Sequence, residues 1–175
     1  MKCPKVFVVM RSHNAYELTS CCLTSLRKCS YRNLHFIVID DGSRDGSGKE
    51  IMSTFPWVHV IRSNQYIEYC KGLNLGIRHA LANEADFVFV VNNDTDNFSV
   101  NYFESLVDAF STHSDVGLVG SLVYDYDGKR RSAGEPQTRL GVFVDTPTEG
   151  YMFSEKVLRD VGLLDEQLVR YFEDY

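Results

Sequence analysis

Phe87-Val88-Phe89-Val90-Val91 runs straight into Asn92-Asn93-Asp94-Thr95-Asp96-Asn97, and this junction decides how the chain must fold. Five consecutive apolar residues, three of them β-branched, predict a strand buried on both faces. Six polar residues follow at once, two of them carboxylates one residue apart. A strand of that kind hides its sides and exposes only its end. In open α/β sheets that carboxyl end is where ligands bind. Asp94 and Asp96 therefore read as a metal or phosphate–metal site at the lip of a sheet. Taken alone, the same residues also read as a polar loop whose Asp and Asn side chains cap the next helix.

Outward from this strand the pattern alternates. Residues 5–10 (Lys-Val-Phe-Val-Val-Met) predict a first buried strand, with the polar turn Arg11-Ser12-His13-Asn14 behind it. A helix is predicted over 15–29, with Leu18, Cys22, Leu26 and Cys29 on one face. Residues 34–39 form a second strand ending in Asp40-Asp41-Gly42-Ser43, and a short helix over 45–55 stops at Pro56. A third strand spans 58–61, a loop 63–69, and a helix 72–82 with Leu73, Ile77 and Leu81 on one stripe. Beyond the central strand, Ser99 is placed to N-cap a helix that runs to about residue 112. A strand over 116–123 follows. Residues 125–136 and 140–144 read as a hairpin or flap, and 154–161 as a last helix with Gly162 as its C-terminal cap.

Strand–helix alternation over the first 120 residues predicts an α/β fold with a mostly parallel sheet and right-handed crossovers. No repeat or linker interrupts it, so residues 1–175 are expected to form one domain. Hydrophobic residues make up 44% of the chain, charged residues 24% and aromatic residues 13%, an ordinary composition for a globular protein. The net charge of −6, without a basic run, argues against a nucleic-acid partner. An acidic protein that handles anionic phosphates needs a cation to do so. The five cysteines, Cys3, Cys21, Cys22, Cys29 and Cys70, form no Cys-x-x-Cys pair and no zinc spacing. They read as reduced thiols of a cytosolic protein. Residues 1–4 lead straight into a strand-like run and no apolar stretch approaches 18 residues, so neither a signal peptide nor a transmembrane segment is expected.

Three strand ends carry polar clusters: 11–14, 40–43 and 92–96. If the sheet reverses its winding between the first and the central strand, all three line one crevice. Asp40 and Asp41 repel each other unless something positive or donating lies between them. A nucleobase N–H and ribose hydroxyls are suitable donors, although Asp-Asp-Gly-Ser also reads as a turn and helix cap. The Gly-x-Gly-x-x-Gly fingerprint and the Walker loop are missing, and so is a Gly-x-Ser-x-Gly elbow. Asp125-Tyr126-Asp127-Gly128 lacks the later ligands of a calcium loop and reads as a hairpin turn. The five histidines show no ligand spacing and read as surface or helix-end residues.

With these residues laid out, the chain resembles the nucleotide-sugar-dependent glycosyltransferases of family 2. Val8-Val9-Met10-Arg11-Ser12-His13-Asn14 is similar to the family's opening strand and turn. Val38-Ile39-Asp40-Asp41-Gly42-Ser43 with Asp45-Gly46-Ser47 matches its Val-Asp-Asp-Gly-Ser-x-Asp-Gly-Ser motif. Asn64, Gly72, Asn74, Gly76 and Ala80 fall in its Asn…Gly-x-Asn-x-Gly segment. Asn92-Asn93-Asp94-Thr95 resembles a variant of its metal-binding Asp-x-Asp, common in the rhamnosyltransferase-like branch. Glu149-Gly150-Tyr151-Met152, Val161-Gly162-Leu163-Leu164-Asp165-Glu166 and Tyr171-Phe172-Glu173-Asp174-Tyr175 resemble its later stretches, in family order.

The resemblance implies a GT-A fold, a Rossmann-like nucleotide-diphospho-sugar transferase fold. It implies an inverting transfer of a sugar from a nucleotide-diphosphate donor to a hydroxyl of a glycan or lipid-linked acceptor, in surface glycan biosynthesis. Asp174, with Glu173 beside it, would be the catalytic base. Ser12, Asn14, Asp40, Asp41, Asn64, Lys71, Asn74, Asn92, Asn93 and Gly150 would line the nucleotide-sugar pocket, Lys71 meeting the diphosphate. Asp94 would hold a divalent cation, Mn²⁺ or Mg²⁺, with Asp96 as an additional carboxylate. The Asp-x-Asp position begins with Asn92, a departure from the family pattern. The chain stops at Tyr175, where the family continues into an acceptor-binding region, so a fragment is expected. The expected location is cytoplasmic, or peripheral at the inner face of the membrane. A sugar-1-phosphate nucleotidyltransferase and a nucleotide-binding module without catalysis are the alternatives. The first usually has a Gly-rich loop after its first strand, and residues 11–14 contain no glycine.

Overall fold

The computed structural model of the chain describes residues 3–113, 115–120, 127–129 and 150–167. Strand β1 (Val6–Ser12), helix α1 (Tyr16–Leu26), β2 (Leu34–Asp41), α2 (Ser47–Thr54), β3 (Val58–Ser63), α3 (Tyr69–Ala82) and β4 (Phe87–Val91) alternate along the chain. Helix α4 (Tyr102–Thr112), β5 (Leu118–Gly120), β6 (Gly150–Ser154) and α5 (Glu155–Asp160) follow. The strands form one six-stranded sheet in the order β3-β2-β1-β4-β6-β5. Strands β1 to β4 pair in parallel, whereas β6 runs antiparallel to both of its neighbours. The mostly parallel α/β sheet read from the sequence is therefore present, with β6 as its reversed strand.

The chain steps outward from β1 to β2 and β3, then returns through α3 to lay β4 on the other side of β1. That return is the reversal of winding on which the crevice depends.

Strand side chains alternate between faces, and here both faces are covered. Val6, Val8, Met10, Phe36, Val38, Phe89 and Val91 pack with Cys22, Leu23 and Leu26 of α1, Ile51 of α2, and Phe103, Leu106 and Val107 of α4. Phe7, Val9, Ile37, Ile39, Val88 and Val90 pack with Leu73, Ile77 and Ala80 of α3 and Leu158 of α5. This double burial is why the strands read as unbroken apolar runs. Each fully buried Val, Leu, Ile or Phe contributes about 1.5–3 kcal/mol of transfer free energy. Helix α3 lies close against the sheet because Gly76 has no side chain: a Cβ there would stand 2.4 Å from Val9 Cγ1.

Several boundaries differ from the sequence reading for identifiable reasons. Helix α1 buries Thr19, Cys22, Leu23, Ser25 and Leu26, and Leu18 is 52% exposed. The buried stripe starts from a threonine whose hydroxyl bonds Ser12, so a search for apolar residues alone shifts it by one position. Helix α3 begins at Tyr69, with Gly72 N–H donating to the Glu68 carbonyl at 3.0 Å. Helix α4 begins at Tyr102 behind Asn101, and Ser99 contributes its carbonyl to Tyr102 N–H instead of a side-chain cap. Strands β1 and β2 extend to Ser12 and Asp41, so the acidic pair belongs to the strand and not to the turn. Of the strand expected over 116–123, residues 118–120 are seen. The hairpin or flap lies outside the described residues apart from 127–129. All five cysteines are free.

Two of the histidines read as surface residues meet: His59 of β3 and His79 of α3 stack with centroids 4.3 Å apart. Burial, and then the charge of His59, hold the His79 imidazole below its ordinary pKa. The folded state thus favours neutral His79, and the unfolded chain takes up the proton first as pH falls. The stability this gives is complete above about pH 6.5, the ordinary His value, and is lost as pH falls toward the lower folded value. Urea denaturation at a series of pH values should show the midpoint dropping over that window. In His79→Gln the drop should be smaller.

Candidate functional site

The sheet register aligns the polar clusters. Ser12 stands opposite Asp40, Asp40 opposite Arg62, Asp41 opposite Ser63, and Val91 opposite Gly150. The ends of β1, β2, β3 and β4 and the start of β6 therefore share one edge. Ser12, Asn14, Asp40, Asp41, Asn64, Asn92, Asn93 and Gly150 all lie on it or in the loops leaving it.

Asp40 and Asp41 are both fully buried, yet they do not face each other. The pleat sends them to opposite sides of the sheet, and each has its own arginine. Asp41 Oδ2 accepts from Arg11 Nε at 2.7 Å and lies 2.6 Å from Arg11 Nη2, while its Oδ1 accepts from Ile67 N–H at 2.7 Å. Asp40 Oδ1 accepts from Ser43 N–H at 3.2 Å, and Oδ2 lies 3.4 Å from Arg62 Nε. That Oδ2 fills the space Gly48 leaves open, where a Cβ would stand 1.8 Å away. The donors expected between the carboxylates are thus supplied by the protein on separate faces.

Around Asp41 the sequence reading named Asn14 and the cluster 11–14 but gave no role to Arg11, His13 or Tyr66. His13 Nδ1 lies 2.6 Å from the Asp41 carbonyl, which can only accept, so Nδ1 carries the proton. His13 Nε2 then accepts from Asn14 Nδ2 at 2.9 Å. Asn14 also takes Arg44 N–H on its Oδ1 and gives its own N–H to Ser43 Oγ. The exposed ring of Tyr66 carries the Arg11 guanidinium at 4.8 Å and His13 edge-on at 5.1 Å. The signal that could have found Arg11 is a lone arginine closing a buried strand beside a strand that ends in Asp-Asp.

At the end of β4, Tyr69 O–H donates to Asn92 Oδ1 at 2.7 Å, and Asn93 Nδ2 donates to Thr19 Oγ1 at 3.0 Å. Thr19 in turn bonds Ser12 at 2.8 Å, so the loop after β4 is stitched to β1 and α1. Asp94 and Asp96 stay exposed. Burial raises the Cys22 thiol pKa well above its ordinary value, and Asp94 and Asp96 add to the rise. The two carboxylates thus set up one negative field at the strand end. No group of three His, Cys, Asp or Glu suited to a metal occurs among the described residues.

Glu68, between Ile67 and Tyr69, adopts φ 75° and ψ 168°, a region otherwise kept to glycine and costing on the order of 1–3 kcal/mol. Lys71 is half exposed and pairs with Glu68 at 3.1 Å. Asn74 is buried and bonds the chain beyond α5. Glu173 and Asp174 lie outside the described residues.

The model of the family described as glycosyl transferase family 2 matches residues 7–164. The chain belongs to that family. Its GT-A architecture recurs in solved structures at 18% identity. The 1–349 portion of S. aureus TarS superposes with a TM-score of 0.77, covering 97% of this chain and 52% of the other. The same portion in complex with UDP-GlcNAc gives 0.70, covering 90% and 47%. A mannosyltransferase from Pyrobaculum calidifontis, in complex with GDP-Man and Mn²⁺, gives 0.71, covering 95% and 49%. This family member thus spans about half the length of the structures it matches. No curated protein matches it in sequence. Among its described residues, no helix is long and apolar enough to cross a membrane.

The two arginines should differ in weight. Arg11→Met leaves the Asp41 carboxylate buried with one N–H donor, and stability should fall by about 3–5 kcal/mol, as when a buried pair loses one partner. Arg62→Met removes a longer contact, 3.4 Å, from an arginine site that water reaches, and Asp40 keeps the Ser43 N–H, so it should cost less than Arg11→Met. Urea denaturation of both variants checks the contrast.

Proposed function

We propose that the chain is the donor-binding and catalytic part of an inverting glycosyltransferase, moving a sugar from a nucleoside-diphosphate sugar to a hydroxyl of a glycan or lipid-linked acceptor. The observation that carries the reading is the meeting of three polar strand ends, 11–14, 40–43 and 92–96, at one edge beside the point where the sheet reverses its winding. Membership of the family supports transfer of a sugar. Solved relatives whose titles name UDP, UDP-GlcNAc and GDP-Man support a nucleotide-activated donor. Surface glycan biosynthesis, at the cytoplasmic side of the membrane, is the pathway we infer.

Ser12, Asn14, Asp40, Asp41 and Asn64 would lie on the nucleoside side. A base N–H that reaches Asp41 must share an oxygen already held by Arg11 or Ile67. Asn92, Asn93 and Gly150 would shape the sugar side. Asp94 and Asp96 offer hard, exposed oxygens in one negatively charged loop, a donor set that fits Mg²⁺ or Mn²⁺ held by one or two carboxylates together with phosphate. When bound there, a divalent cation would neutralise charge on the departing diphosphate. Asp174, or Glu173 beside it, would take the proton of the acceptor hydroxyl as that oxygen attacks the anomeric carbon from the face opposite the diphosphate.

Two measurements on the full-length protein test the reading. In calorimetric titrations, Asp94→Ala should lose the Mn²⁺ dependence of nucleoside-diphosphate binding and keep its fold, and Asp96→Ala should lose less. Unchanged metal dependence in Asp94→Ala would reduce the motif to a loop cap. With labelled donor, Asp174→Asn should keep donor affinity while transfer falls by roughly 10²–10⁴, the usual contribution of a positioned base. Transfer within a few-fold of wild type would pass the role to Glu173.

A further inference from the structure

Asn74, on α3, is 1% exposed, and its amide is committed to the chain beyond α5. Nδ2 donates to the Leu164 carbonyl at 2.8 Å and to Glu166 Oε1 at 3.0 Å. Oδ1 accepts from Leu164 N–H at 3.1 Å. One side-chain amide thus pairs with both backbone groups of a single residue, as a neighbouring strand would. Both amide hydrogens are used, so a hydrogen bond from Asn74 to a nucleotide would have to break one of these contacts.

We propose that Asn74 is a positioning residue, holding residues 164–166 against α3 and so fixing the backbone from which the sequence runs on to Glu173 and Asp174. The proposal rests on the reading above that one of those carboxylates is the base. Asp174 lies eight residues beyond Glu166 (174 − 166). Arg78, one helical turn after Asn74, donates to the same Glu166 oxygen at 2.8 Å. Hydrogen bonds from Asn74 first, and Arg78 next, hold the Glu166 carboxyl below its ordinary pKa.

The clamp is referenced to the centre of the fold. Gly76, between Asn74 and Arg78, seats α3 on Val9 of β1, while Leu73 and Ile77 are fully buried. Leu163 and Leu164 pack on the same core. Apolar packing holds the stretch down, but it is non-directional. The amide pairing with Leu164 supplies direction, because it fixes the orientation of the backbone there.

Asn74→Asp tests this in the full-length protein, since it removes both donors and sets a second carboxylate against Glu166. Amides 164–167 should exchange with deuterium faster. Binding of a nucleoside diphosphate with Mn²⁺ should be unchanged in calorimetry. The kcat for transfer should fall by roughly 10–10²-fold at constant donor KM, the scale of a misplacement of about 1 Å. Adding Glu166→Gln to Asn74→Asp relieves the repulsion between the two carboxylates but leaves the Leu164 carbonyl without its donor, so exchange at 164–167 should stay faster, and kcat lower, than in wild type.

Donor affinity falling in step with kcat would make Asn74 a ligand contact and overturn the proposal. So would full kcat with accelerated exchange, or a double variant restored to wild-type protection with the Leu164 carbonyl still lacking its donor. Failure of the glycosyltransferase reading shows separately, as a wild-type protein without transfer or donor hydrolysis. The exchange arm then decides the clamp alone, and unchanged exchange in Asn74→Asp overturns it.

Discussion

Asp41 ends a strand with no exposure to water, and the edge of the sheet is built around that carboxylate. Arg11, from the next strand, and the N–H of Ile67, from the β3–α3 connection, both converge on it. An ion pair in such a place does not by itself make the fold more stable than an apolar pair would, because desolvation offsets the attraction. Its effect is to tie three segments to one point. The end of β1, the end of β2 and the approach to α3 cannot move independently. Through Tyr69 and Asn92 the same approach also reaches the end of β4.

Behind this edge, close packing does the positioning. Both faces of the central strands β1, β2 and β4 are covered by helices, and rigid elements place side chains more closely than loops do. Helix α3 shows how this extends outward. Its glycine brings it onto β1, its leucine and isoleucine fill the core, and its polar face reaches the chain after α5. The strained backbone at Glu68 sits where α3 begins, between the residues that reach β2 and β4. Strain in such a position persists because its neighbours over-determine it.

Much of this was legible in the sequence, and what was hidden has a common cause. β4 could be read because five apolar residues in a row fit only a strand covered on both sides. Strand–helix alternation leaves few topologies, so the shared edge of the three polar clusters could be tied to a single condition, a reversal of winding between the first and the central strand. The partners of those clusters could not. Arg11 and Asp41 are thirty positions apart, and Asn74 and Leu164 ninety, so nothing local announces that they meet. Thr19 was missed because a buried hydroxyl with two partners looks like a surface residue in any apolar pattern. Asp40 and Asp41 looked like mutual neighbours because sequence adjacency conceals the pleat. The bonds of the Asn74 amide to Leu164 and to the Glu166 side chain are likewise invisible in its motif.

The pleat at Asp40 and Asp41 also bears on how the sheet finds its frame. Sliding β2 by one residue exchanges its two faces. On most half-buried strands this is prevented by polarity, since apolar groups would be turned to water. On β2 it would replace Phe36, Val38 and Asp40 by Ile37, Ile39 and Asp41, like for like, and polarity could scarcely tell the frames apart. Shape has to do so. The gap over Gly48 admits one carboxylate oxygen, and the hollow over Gly76 admits the Val9 and Ile39 methyl groups. Two missing side chains act as the gauge that selects a single frame. A chain in which they were filled would lose uniqueness before it lost compactness.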